Sequence, residues 1–144
     1  MMLSNQDRVR TVQMTLRVLF GVVPIVAGAD KFFNLLTNWT QYLNPTLEGL
    51  MPVSAATFMH AVGIIEIAAG LLVLSRYTTI GAYVVSAWMA LIGLSLIASG
   101  KFLDVAVRDL VMSASAYSLA CLSQIHQEQR APNYAERTAR SIPA

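Results

Sequence analysis

The sequence predicts an all-α polytopic membrane protein, a four-transmembrane-helix bundle with an extended first external loop. Three observations predict it. Hydrophobic residues make up 56% of the 144 residues and charged residues only 12%, about half the ~25% of a soluble domain. Four apolar runs are each long enough for a bilayer, which takes roughly 20 residues. The runs do not alternate as the ~10-residue strands of a membrane barrel would. A mean hydropathy of +0.56 also excludes disorder for most of the chain.

The first helix is predicted over about 14–36. Arg8 and Arg10 precede it, and Ala27-Gly28-Ala29 resembles a small-residue cleavage site. That pattern suits a signal peptide, but the segment is read as a retained helix. The link Thr37–Ala56 carries Trp39 and Tyr42, residues that favour the membrane–water interface. Pro45 suits the first turn of a short helix through Met51, so the link is read as an interfacial cap over the outer end of the bundle. Further helices are predicted over about 57–74, 78–99 and 105–124. Together, 1–124 form one transmembrane domain. The tail, 125–144, is polar, with two prolines and three arginines. It cannot bury a core and is expected to be loose or to lie on a partner subunit.

Basic residues orient membrane proteins by collecting on the cytoplasmic side. With a cytoplasmic N-terminus, Arg8, Arg10, Arg17, Arg76, Arg130, Arg137 and Arg140 lie on or near the inner side, against Lys31, Lys101 and Arg108 outside. Both termini are therefore expected in the cytoplasm, and the compartment is read as a bacterial inner membrane.

Several chemistries are excluded. A net charge of +2 with scattered basic residues does not suit nucleic acid. The single cysteine, Cys121, rules out an internal disulfide and reads as a packing residue. No metal site is expected. His60 and His126 fall at opposite surfaces, ~30 Å apart, so one chain cannot bring them to one haem iron. No Walker A, nucleophile-elbow or Cys-x-x-Cys motif occurs.

Small residues form stripes that let membrane helices approach closely. Arg17, Gly21, Pro24, Gly28 and Lys31 share one face of the first helix at 100° per residue, and Pro24 is expected to kink it. Met59, Gly63, Glu66 and Gly70 share a face of the second. Ser86, Gly93 and Gly100 recur in the third, and Asp109, Ser113, Ala116, Ala120 and Ser123 in the fourth.

Six charges fall within the predicted spans: Arg17, Asp30, Lys31, Glu66, Arg108 and Asp109. Each costs at least ~2.5–3.5 kcal/mol near the bilayer centre, so mutual neutralisation is expected. Glu66 is the deepest, roughly 14 Å from the outer end of its helix at ~1.5 Å per residue. Asp30, Lys31, His60, Arg108 and Asp109 can gather with it in the outer half as candidates for ligand binding or proton relay. Arg17 lies toward the inner side as a structural ion-pair candidate. Depth leaves the partner of Glu66 open among Arg17, Lys31 and Arg108. A structural network that fixes helix register is the competing reading.

Arg17-Val-Leu-Phe-Gly21, Gly28-Ala-Asp-Lys31, Gly63-Ile-Ile-Glu66-Ile-Ala-Ala-Gly70 and Arg108-Asp109 together resemble the DoxX-like family of small four-helix membrane proteins, over roughly 17–124. Members include small subunits of thiosulfate- and quinol-oxidising complexes and a maturation factor for a periplasmic amine dehydrogenase. The resemblance implies an accessory subunit of a quinone-linked redox complex, with a quinone as a possible ligand and no covalent cofactor. The alternative is a purely structural subunit or assembly factor. Either way the chain is expected to meet membrane lipid and to work as a homo-oligomer or within a larger complex.

Overall fold

The computed structural model describes residues 4–140. Five α-helices and one 3-10 turn follow in order: α1 Asn5–Asp30, the 3-10 turn Trp39–Tyr42, α2 Pro45–Leu50, α3 Ala55–Leu74, α4 Thr78–Ser99 and α5 Leu103–Arg140. Helices α1, α3, α4 and the Leu103–Ile125 part of α5 are long and apolar enough to cross a membrane. They form an antiparallel bundle in which α1 packs along α3, α3 on α4, α4 along α5, and α5 closes back on α1. Exposed Val22, Val26, Ile64, Leu71, Leu91 and Val111 cover its outside, as a lipid-facing surface requires. The end bearing the long link and the α4–α5 turn is called the loop end, the other the terminal end.

The helix ends show where hydropathy misleads. Helix α1 starts at Asn5, not near Met14, because Ser4 and Asp7 form a capping box: each side chain accepts the other residue's backbone N–H at 3.2 Å. Such a cap starts a helix wherever it falls, ahead of the apolar run. The same helix ends at Asp30 rather than Leu36. The Asp30 carboxylate accepts the backbone N–H groups of Leu35 and Leu36, and Asn34 turns left-handed at φ 51°. Apolar Phe32–Leu36 is thus a turn, not membrane helix.

Helix α3 begins at Ala55 behind the Ser54 cap, and α4 spans the predicted residues. The short helix at Pro45 is present, with Asn44 as its cap. The link folds over the loop end, where Tyr42 meets Phe102 edge-on at 4.8 Å. The largest departure is the tail. Rather than ending near Gln124, α5 continues to Arg140. Ten of the sixteen residues 125–140 are Gln, Glu, Ala or Arg, strong helix formers that carry the helix past Pro132, which itself disfavours it. The end of the predicted tail, 141–144, lies outside the described residues.

The apolar core sits toward the terminal end and centres on Phe20, Val73, Val85 and Leu119. Between α1 and α3 the backbones nearly touch at two levels. A Cβ on Gly28 would lie 2.5 Å from the Gly63 carbonyl oxygen, and one on Gly70 2.5 Å from that of Gly21. Helices α4 and α5 are joined differently. Ser86 Oγ donates to the Ser113 carbonyl at 2.9 Å and Ser113 Oγ returns a bond to the Ser86 carbonyl at 2.8 Å.

Candidate functional site

The two Gly–Gly levels of α1 and α3 place Lys31 and Glu66 on facing surfaces. Lys31 Nζ donates to Glu66 Oε2 at 2.5 Å, and the two side chains are 4% and 5% exposed. A buried pair of this kind needs close geometry to offset the desolvation of both charges. Glycine at 28 and 63 permits that geometry by removing the side chains that would hold the helices apart.

Two further groups approach from the other half of the bundle. Asp109 of α5 is buried and close enough to act electrostatically on both Glu66 and Lys31. Trp88 of α4 brings its indole N–H beside the Glu66 carboxylate without reaching hydrogen-bond geometry. Among the described residues, its Nε1 is the buried side-chain polar atom left without a partner. Each spanning helix therefore contributes one polar group to one buried cluster.

An aromatic ring packs on Lys31 from the loop end. The Trp39 ring lies 3.7 Å from Lys31 Nζ, a cation–π contact. Trp39 Nε1 in turn donates to Asp30 Oδ2 at 2.8 Å. Lys31 is thus held between a carboxylate and an aromatic face.

The remaining predicted residues fall elsewhere. Among the described residues Asp30 pairs with no cation; its partners are two backbone N–H groups and the Trp39 indole. It organises the loop, because a carboxylate can satisfy turn amides as readily as a lysine. His60 stacks on Phe32, centroids 4.8 Å apart and 10° from parallel, outside the hydrogen-bonded set. Arg108 is 62% exposed and holds Asp109 Oδ1 at 3.0 Å from the surface, so it does not enter the bundle.

Arg17 forms no ion pair among the described residues, contrary to expectation. It donates instead to the carbonyls of Val73, Leu74 and Ser75 at 3.2, 2.6 and 2.8 Å. These end the α3 helix, whose last carbonyls lack helical partners and carry partial negative charge. A cation there is a C-terminal cap.

Sequence reasoning missed Trp88 and the role of Trp39. Trp88 carried a signal, since tryptophan in mid-span departs from its interfacial preference. The position of Trp39 over Lys31 carried none.

Four spanning helices around a buried ion pair define a small polytopic membrane protein. The DoxX family model matches residues 12–98, and the chain belongs to that family. The match takes in α1 from Val12 onward, all of α3 and α4 up to its last residue, with Lys31, Glu66 and Trp88. It stops before Arg108 and Asp109, so the α5 part of the cluster rests on geometry alone. No curated protein sequence and no solved structure gives a significant match to the chain.

Proposed function

We propose that this protein is an accessory membrane subunit of a quinone-linked redox complex, and that its buried cluster receives a quinone head group. The observation that carries the reading is the unpartnered Trp88 Nε1 beside Glu66. This buried N–H stops short of a good hydrogen bond, and an incoming carbonyl acceptor would complete one. Trp88 and Lys31 would hold the two-carbonyl head group as donors. A bound quinone supplies the redox chemistry. Glu66 holds acceptor oxygens beside Lys31 and would take up or release a proton there, with the buried Asp109 carboxylate as a further acceptor from α5. In this reading the protein lies in a bacterial inner membrane with both termini cytoplasmic, following the basic-residue asymmetry, and assembles with itself or with larger subunits.

A second reading has its own support. The Lys31–Glu66 bond is already complete, and glycine contacts at two levels hold α1 against α3, as a purely structural lock would require. Quinone extraction from protein purified out of native membranes separates the two. The proposed function requires near-stoichiometric quinone that falls several-fold in Trp88→Phe at unchanged protein level. Absence of quinone from the native protein, with loss of folded protein in Glu66→Gln, establishes the lock.

A further inference from the structure

The Lys31–Glu66 pair is closed on its two axial sides by different materials. Toward the terminal end, Ala69 and Val73 follow Glu66 on the same face of α3, and with Phe20 and Val85 they form tightly packed apolar core. Toward the loop end the Trp39 ring rests on Lys31 Nζ. Its fastening is one side-chain hydrogen bond, from Trp39 Nε1 to Asp30. The ring belongs to a short 3-10 turn rather than to a spanning helix.

We propose that Trp39 is a lid, latched by Asp30, and that the buried pair exchanges with water only at the loop end, when this ring swings away. Asp30 suits a latch. Its carboxylate also holds the Leu35 and Leu36 amides, so the loop's path and the ring's position depend on the same two oxygens. The inference concerns access to the pair and holds whether or not a quinone binds.

The chain contains two lysines, Lys31 and Lys101, which makes a direct test available. Lys101 is exposed in the α4–α5 turn at the loop end, whereas Lys31 is 4% exposed. The full-length protein in sealed vesicles is treated with a membrane-impermeant sulfonated amine reagent, and labelling at each lysine is read by peptide mass spectrometry. The native protein should label at Lys101 and hardly at Lys31. Trp39→Ala should raise the Lys31-to-Lys101 ratio at least ten-fold, and only in vesicles whose orientation also exposes Lys101. Asp30→Asn, which retains the ring but weakens the latch, should raise it several-fold. It carries the test alone if Trp39→Ala does not insert. An unchanged ratio in the folded variants, or labelling of Lys31 from the side opposite Lys101, overturns the proposal. Because no step requires a quinone, failure here is distinguishable from failure of the proposed function.

Discussion

Adding one methyl group at Gly63 tests the architecture most directly. A Cβ there would lie 2.6 Å from the Gly28 carbonyl oxygen. Ordinary contact begins near 3.4 Å, so the α1 and α3 backbones must separate locally by ~0.8 Å, a shift that overpacked cores resist at about 1–3 kcal/mol. Backbone faces backbone at this point, and no rotamer change can absorb the strain. The same separation pulls Lys31 from Glu66, adding a share of the buried pair's interaction to the loss. Gly63→Ala is therefore expected to cost about 2–4 kcal/mol. Gly28→Ala probes the same contact from the other side, so the double variant should cost less than the sum of the two. Gly49→Ala is the control, because nothing lies within 4 Å of a Cβ there. Reversible unfolding in mixed micelles measures each cost. Gly63→Ala and Gly28→Ala within ~0.5 kcal/mol of native, the range of ordinary surface substitutions, would refute the close approach.

Three more outcomes follow. Arg17→Met should destabilise by up to about 2 kcal/mol, the scale of a favourable cation at a helix C-terminus; Arg17→Lys should recover less than half in the same assay, since one ammonium cannot match the three-carbonyl fork. A double-mutant cycle on Ser86→Ala and Ser113→Ala should give a coupling of about 0.6–1.7 kcal/mol, the range for hydrogen bonds between membrane helices, and no coupling would remove the reciprocal bonds from the account. Reporter fusions should place the α2 region outside and residues after Gln127 in the cytoplasm; an externally active reporter after Gln127 would reverse the topology.

The bundle was legible because lipid imposes a length and a face. Apolar runs located four spans, and the Gly21/Gly28 and Gly63/Gly70 stripes identified the surfaces that meet. Helix ends were less legible. Hydropathy reports bilayer thickness, while Ser4–Asp7 and Asn34 report caps and turns. Assigning Asp30 to the charge cluster failed for a related reason. Its partners are backbone amides and one indole, and backbone groups leave no mark in the sequence. The stack of His60 on Phe32 likewise arises from the geometry of the loop end rather than from any pattern along the chain. The α5 extension was obscured by composition: polarity excluded a core but not a helix.

The choice of Lys31 over Arg17 as partner of Glu66 rests on direction rather than depth. The Gly28–Gly63 and Gly21–Gly70 contacts set an antiparallel register in which Lys31 is level with His60 and Arg17 with Leu74. Both cations thus start roughly 9–12 Å along the axis from Glu66. Helical side chains lean toward the N-terminus of their own helix. On α1 that direction carries Lys31 toward Glu66 and Arg17 away from it, while on antiparallel α3 Glu66 leans toward Lys31. This fixed geometry implies that Arg17 cannot substitute. Lys31→Gln leaves Glu66 buried without its cation and should cost about 3–5 kcal/mol, whereas Lys31→Gln with Glu66→Gln removes both charges and should return stability most of the way to native. Unfolding free energies of the native protein, the two single variants and the double variant decide the matter. If Lys31→Gln costs under ~1 kcal/mol, another cation has reached Glu66 and the directional argument is wrong.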